Sequence, residues 1–347
     1  MPRPTYKAAI IGLGYIGGAD QVSGDALGQM VADLDGTHLD ALTGHPRVTL
    51  AAGSSRDAGR RSRFQARTGA PAYTDWREML AKEGPDIVSV ATYTPVHAEM
   101  TIACAEAGVR VIFCEKPIAT RIPDAEAMVA ACEAAGALLV VNHVRRFNPI
   151  LRRLRALVLD DGLGNLTSAS LAWGAGRLGN VGTHMIDTVR MLTGREVEAV
   201  SGTLDLSGRP DCRGQEFRDP GGWGMMRLER GLIVTVDAAD HGTVPAQIAI
   251  NGTRGRATTN RDEVTIEYAD GRHEHWPRPE GAPSSMDVAV GEIVDWLDGG
   301  GPFSCAATES VRTLEAIVAF HASHRRNAAW SDLPLAGDDR EIEVLSG

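Results

Sequence analysis

Residues 7–17 read Lys7-Ala8-Ala9-Ile10-Ile11-Gly12-Leu13-Gly14-Tyr15-Ile16-Gly17. Lys7–Leu13 is an almost unbroken apolar run, as expected of a parallel strand buried on both faces. It runs directly into the pattern G-x-G-x-x-G. In such a loop Gly12 permits the tight turn, Gly14 lets the backbone approach a pyrophosphate, and Gly17 lets a helix close on the strand. Tyr15 and Ile16 open that helix, whose N-terminus favours phosphate. The next 125 or so residues strengthen the motif by repeating its strand-then-helix alternation. Val48–Ser55, Asp86–Thr92, Arg110–Cys114 and Ala137–Asn142 are further apolar runs. Helical stretches separate several of them: Asp57–Thr68, His97–Ala107 and Pro123–Ala135 are each followed by a glycine, a helix stop. This alternation predicts an α/β dinucleotide-binding domain with a parallel sheet and right-handed crossovers over residues 1–143.

The pattern changes near Asn142–Pro149. Asn148–Leu159 reads as a helix. Strand-like segments then come with few helices between them: Leu166–Trp173, Val197–Leu206, Met225–Leu228, Leu232–Ala238, Gln247–Asn251 and Val264–Tyr268. Glu229-Arg230-Gly231 and Ala269-Asp270-Gly271 are hairpin signals. Thr183–Leu192, Met286–Leu297 and Thr308–His321 read as helices. A second α/β domain is therefore expected over 144–330, with a largely antiparallel sheet. Asn148–Leu159, Thr183–Leu192 and Thr308–His321 should cover one face. The other face should be apolar enough to pair with a second copy, giving a homodimer or homotetramer. The polar tail 331–347 is expected to be loose.

The chain has 347 residues, with 45 Asp+Glu against 35 Lys+Arg and a net charge of −10. That length suits two domains with a core that needs no staples. The acidic balance speaks against a nucleic-acid or anionic-membrane partner. At 5% aromatic residues, a base-stacking platform is also excluded. Cys104, Cys114, Cys132, Cys212 and Cys305 include no Cys-x-x-Cys, which points to reduced buried thiols in a cytoplasmic setting and to no metal site. The N-terminal apolar run is too short and too soon broken by glycine for a signal peptide. No segment approaches the ~18 apolar residues that span a bilayer.

The second strand ends much later than the ~20 residues after the glycine loop that are usual. Gly18–Gly36 reads as an insertion. Its Val22–Asp35 stretch is an added turn of helix, a flap over the cofactor or an indifferent surface segment. At the end of the second strand, a carboxylate would accept the ribose hydroxyls of NAD. Here stand Ser54-Ser55-Arg56. A hydroxyl followed by a guanidinium suits a 2′-phosphate, so Ser55 and Arg56 favour NADP over NAD, while Asp57 keeps NAD open. Arg60 and Arg61 read as a solvated helix face.

Three further motifs stand out: Glu115-Lys116-Pro117 after the Arg110–Cys114 run, Thr94-Pro95-x-His97, and Gly182-Thr183-His184-x-x-Asp187. Together with the glycine loop they resemble the glucose-fructose oxidoreductase / inositol dehydrogenase / rhizopine-catabolism family over roughly residues 5–330. The resemblance implies an open, mostly antiparallel second sheet, homo-oligomers, and NAD(P)-dependent oxidation or reduction of sugars, polyols and related carbinols. It implies that Lys116 is the catalytic lysine and His184 the catalytic histidine. It puts Thr92, Thr94, Pro95 and His97 near the nicotinamide ribose, and Glu115 and Asn142 beside the cofactor. His143, Arg146 and Phe147 fall where the substrate pocket begins. The chemistry agrees: removing hydride from an alcohol leaves a proton on oxygen, so a base must lie within hydrogen-bond reach. Desolvation shifts a lysine toward its neutral, proton-accepting form. His184 opens a helix whose positive end favours neutral imidazole; the alternative is a structural histidine paired with Asp187.

The sequence departs from the family twice. Many members carry Asp four positions before the histidine, where this chain has Asn180. A carboxylate would favour the lysine ammonium, whereas an amide does not. Either Lys116 then acts as acid/base alone, with His184 orienting the hydroxyl and Asn180 at the substrate, or catalysis is weakened. The stretch Gly174–Gly179 is short, which predicts a pocket open to substrates as large as a glycoside. Two other classes compete: a non-catalytic dinucleotide sensor, and an enzyme that cleaves glycosides through transient oxidation by tightly held NAD.

Overall fold

The computed structural model describes residues 5–25, 30, 34–207, 217–239, 245–300 and 303–346. The chain divides into two units, the first comprising Met1–Ala119, Asp124–Val144 and Pro283–Thr308. Its strands are β1 (Tyr6–Ile11), β2 (Val48–Ser54), β3 (Ala72–Tyr73), β4 (Ile87–Val90), β5 (Val111–Cys114) and β6 (Leu138–Val141). They pair in the order β3-β2-β1-β4-β5-β6, all parallel. The apolar runs are continuous because both faces are covered: Ala8–Ile11, β4 and β5 are buried throughout. The strand order reverses between β1 and β4. Such a switch point opens a crevice at the carboxyl ends of the strands. Gly12, Ser55, Ala91, Glu115 and Asn142 each come directly after the last residue of a strand, so the candidate residues of this unit share one sheet edge.

β3 and the helices His38–Gly44 and Trp76–Glu83 were not evident from the pattern. Two residues are too few to alternate, and His38–Gly44 comes after the insertion. That helix is set by Thr37, whose side chain accepts from Asp40 N. Of the insertion, Gln21–Asp25 is helical, while residues 26–29 and 31–33 lie outside the described residues. Arg63 anchors its start, with Nε and Nη2 donating to the buried Asp20 carboxylate at 2.8 and 2.7 Å. Asp35 anchors its end by accepting from Ser285 N and Oγ.

That last contact marks a correction. The helix Ser285–Leu297, expected in the second domain, belongs to the first unit. Tyr6 Oη donates to Asp298 just beyond it at 2.6 Å. A chain that returns to its first unit leaves no local sequence signal.

The second unit comprises Thr120–Pro123, Arg145–Ala282 and Glu309–Gly347. It holds β7 (Leu166–Ala172), β8 (Val197–Asp205), β9 (Gly221–Leu228), β10 (Leu232–Ala238), β11 (Gln247–Gly252), β12 (Gly255–Thr259), β13 (Glu263–Tyr268), β14 (His273–Pro277) and β15 (Ser331–Asp332). The order is β14-β13-β12-β11-β7-β10-β9-β8-β15, antiparallel except where β7 meets β10. Both expected hairpins form, β9–β10 and β13–β14. One face buries Leu171, Val234, Val236, Ile248, Ile250 and Ile266. Helix Ala307–Arg325 packs there: a Cβ on Gly202 or Gly224 would stand 2.4 or 2.7 Å from Phe320. From helix Pro149–Leu159, Arg153 lies 3.7 Å from the Trp276 ring centroid. The opposite face is less apolar than expected. Trp223 and Met225 are exposed, but their row neighbours across the ladder are Thr203, Asp237, Ser201 and Thr235.

The tail is also corrected. It is not loose: β15 pairs with β8, Val344 N donates to Thr120 O at 2.9 Å, and Leu335, Ile342 and Val344 are buried. Cys104, Cys114 and Cys132 are free and buried, Cys305 is buried, and Cys212 lies outside the described residues. Burial pushes the Cys104 thiol up to about 12 and that of Cys132 to about 11, so neither is a nucleophile near neutrality. Among the described residues no helix is long and apolar enough to cross a membrane.

Candidate functional site

Gly12 has φ +100, and a Cβ there would stand 2.4 Å from Ala91 O. A Cβ on Gly17 would stand 2.1 Å from Gly12 O. Both positions therefore require glycine so that the turn after β1 can close against the end of β4. Gly14 differs: an added Cβ would meet nothing nearer than Arg60 Nη1 at 3.6 Å. The backbone at Gly14 is an open cradle beside a guanidinium, which fits a dinucleotide phosphate group. The helix after the loop is a single turn, Tyr15–Gly18, ended by Ala19 at φ 49 as the chain enters the insertion. Tyr15 Oη donates to Met30 O.

At the end of β2, Ser54 is buried, Ser55 half-buried and Arg56 exposed. The Asp57 carboxylate caps helix Ala58–Thr68 by accepting from Arg60 N at 2.8 Å, which holds its carboxyl below the ordinary value. Arg61 Nη1 donates to Ser55 O at 2.6 Å and to Arg56 O at 2.9 Å. The expectation of a solvated face for Arg60 and Arg61 is thus overturned. Both are half-buried, Arg61 braces the turn and Arg60 faces the glycine loop. Sequence reasoning missed Arg60. Its signal was the position three residues after the helix cap, one turn in.

Glu115 directly succeeds β5 and is 6% exposed. Its Oε1 accepts from Asn142 Nδ2 at 2.6 Å and faces His38 Nε2 at 3.0 Å, while Oε2 lies 3.3 Å from Lys116 N. Burial opposes ionisation, but the His38 contact, the Lys116 charge and Asn142 outweigh it and hold the carboxyl at about 2. Lys116 is half-buried in a stretch, 111–120, that is otherwise buried. The Lys116–Pro117 peptide is cis. The His97 ring is buried between Pro117 O (Nδ1, 2.9 Å) and Thr92 O (Nε2, 3.1 Å), so it ties the loop after β4 to the turn carrying Lys116. Burial lowers its pKa although the two carbonyls pull the other way. Thr92 Oγ1 lies 3.6 Å from Met100 Sδ, Thr94 is buried, and Pro95 is exposed at the start of a short 3₁₀ turn. Asn142 and His143 are each 1% exposed.

In the second unit, helix Thr183–Thr193 is buried at every residue but His184, which is half-buried. Asn180 sits in a wide turn, Leu178–Gly182, preceding this helix. Asp219 underpins that turn, Oδ1 accepting from Gly179 N at 2.6 Å and Oδ2 from Asn180 N at 2.7 Å. Arg146 is held by Asp187: Nε donates to Oδ2 at 2.8 Å and Nη2 to Oδ1 at 2.7 Å. Thr313 Oγ1 also donates to Asp187, at 3.2 Å. Phe147 is fully buried. No group of three His, Cys, Asp or Glu side chains placed to hold a metal occurs among the described residues.

Residues 6–143 match the oxidoreductase family with an NAD-binding Rossmann fold, and residues 151–258 match the GFO/IDH/MocA C-terminal domain. Levoglucosan dehydrogenase of Pseudarthrobacter phenanthrenivorans is 27% identical over 308 residues, covering 76% of each chain. Inositol 2-dehydrogenase 3 of Saccharopolyspora erythraea is 28% identical over 306 residues, covering 84% of this chain and 80% of its own. An inositol dehydrogenase homolog from Azotobacter vinelandii, solved with NADH and myo-inositol, superposes with a TM-score of 0.78 at 18% identity, over 95% of this chain and 98% of its own.

Proposed function

The chain belongs to the GFO/IDH/MocA family of oxidoreductases and is an NAD(P)-dependent oxidoreductase, and from that premise we propose that it exchanges hydride between nicotinamide and a carbinol carbon of a cyclic polyol or sugar. Lys116 is the acid/base, His184 orients the reacting hydroxyl, and Asn180 adds an amide hydrogen bond to the substrate. One observation carries this reading: Lys116 is the half-exposed residue in a buried stretch, with the ionised Glu115 held behind it. A side chain placed that way can move a proton at an alcohol oxygen without wandering from it. The bound nicotinamide would supply the hydride acceptor or donor. Gly12, Gly14 and Gly17 would bind its pyrophosphate, and Thr94 and Pro95 its ribose. Lys116 Nζ takes the hydroxyl proton on oxidation and returns it on reduction. Arg146, bound to Asp187, braces the helix that carries His184.

The relatives' names support a polyol or anhydro-sugar substrate; the reading adds that the protein is a cytoplasmic homodimer or homotetramer. A panel of inositols, aldoses and anhydro-sugars, monitored by absorbance of the reduced nicotinamide, tests the reading. Reduced cofactor formed in step with substrate consumed supports net oxidation; a cofactor that stays bound and unchanged while product forms would overturn it. Light scattering at micromolar concentration tests the assembly, and a monomer would remove that part.

For the cofactor the proposed preference is NADP(H). Ser55 and the exposed Arg56 stand at the end of β2, and Asp57 already caps a helix, which leaves it poorly placed to take ribose hydroxyls. Arg56→Ala should lose roughly tenfold in NADPH affinity with little change for NADH, because a charge-assisted phosphate contact is worth about that factor or more. Arg60→Ala, beside the pyrophosphate cradle, should weaken both cofactors alike. Calorimetric titration decides this: NADH bound more tightly than NADPH by the native protein would reverse the assignment.

A further inference from the structure

We propose that His38 is a positioning residue for Lys116, acting through the Glu115 carboxylate that it holds in place. The inference rests on the reading of Lys116 as the acid/base. His38 opens the helix after the insertion and is 0% exposed. Its Nδ1 lies 2.9 Å from Ser89 Oγ and its Nε2 lies 3.0 Å from Glu115 Oε1. The ring stands edge-on to Phe113, with centroids 4.5 Å apart, so it cannot tilt away. A carboxylate only accepts, so Nε2 bears the hydrogen and donates to Glu115, while the Ser89 hydroxyl partners Nδ1. Asn142 supplies the second donor to Oε1 while touching Met286 Sδ at 3.0 Å.

A buried carboxylate held by donors from separate elements is costly if it only fills space, since apolar packing would stabilise as well or better. Its distinguishing product is a fixed negative charge one residue before Lys116. That charge favours the lysine ammonium. The other titratable groups facing Glu115 are Cys114 at the end of β5 and His97 on the helix after β4, and both interact with its charge.

The test needs no known substrate. The full chain is treated with trinitrobenzenesulfonate across a pH series, and the modification rate at Lys116 is read by peptide mass spectrometry. His38→Leu removes the donor, Glu115 takes up a proton or moves, and the labelling midpoint of Lys116 should shift toward acid by about one pH unit. His38→Gln restores an N–H and should keep the native midpoint, which a merely space-filling role would not predict. Glu115→Gln should give the acid shift with His38 present, and adding His38→Leu should then change nothing. A native midpoint in His38→Leu, or an equal shift in His38→Gln, overturns the proposal. Should His38→Leu not fold, an unmoved midpoint in Glu115→Gln overturns it. Failure of the catalytic reading would appear elsewhere, as undiminished turnover in Lys116→Ala.

Discussion

Lys116→Ala should lower turnover of any sugar or polyol that the protein oxidises by roughly 10²–10⁴-fold, the range typical of a lost general acid/base. Cofactor affinity should be nearly unchanged, because the glycine loop and the turn after β2 do not use the lysine side chain. The loss should fall equally on kcat and kcat/KM, the signature of an interaction made only in the transition state. His184→Ala should cost less, since orienting a hydroxyl contributes less than moving its proton. Initial rates by nicotinamide absorbance, with cofactor binding by calorimetry on the same preparations, check both points. A Lys116→Ala protein with turnover within about threefold of native would remove Lys116 from the chemistry.

Much of this site was legible because its residues sit at strand ends. A run of buried apolar residues ending in a polar or glycine residue reads directly as a parallel strand meeting a crevice. Gly12, Ser55, Glu115 and Asn142 each follow a strand directly; Gly12 and Ser55 were read from that pattern, Glu115 and Asn142 from the family resemblance. What escaped was held by long-range partners. His38 looks like any histidine in a helix; only the fold brings Ser89 and Glu115 to its two nitrogens. Arg60 looks like a surface charge until its helix turns it toward Gly14. Arg146 reads as a candidate substrate ligand by its position in the chain, and only Asp187 across the unit explains its forked geometry. The tail and the helix Ser285–Leu297 were misjudged for the same reason, their partners Thr120 and Asp35 being remote in sequence. Local patterns report the period of an element and its ends, not the distant group that will neutralise a buried charge.

That limit bears on the network behind His184. Asp187 and Arg190 side chains are each 1% exposed, and Arg146 is 10%. Arg190 reaches Glu196 at 2.6 Å and Glu309 at 3.2 Å, with Asp187 at 3.7 Å. Removing Asp187 takes away the forked partner of Arg146 and leaves it the longer contact with Glu309, at 3.4 Å. Breaking a buried ion pair on one side typically costs ~3–5 kcal/mol, because the remaining charge keeps its desolvation penalty without its partner. For a unit of this size that corresponds to a fall in unfolding temperature on the order of 10 °C. Asp187→Ala should therefore melt well below the native protein, and Asp187→Asn, which keeps one acceptor, should lie between them. The exposed pair Arg272–Asp270, 2.8 Å apart, supplies the contrast. Asp270→Ala should leave the unfolding temperature essentially unchanged, since solvent screens that pair. Thermal unfolding monitored by circular dichroism distinguishes the cases. Equal melting of Asp187→Ala and Asp270→Ala would mean that helix Thr183–Thr193 is held by its apolar packing alone.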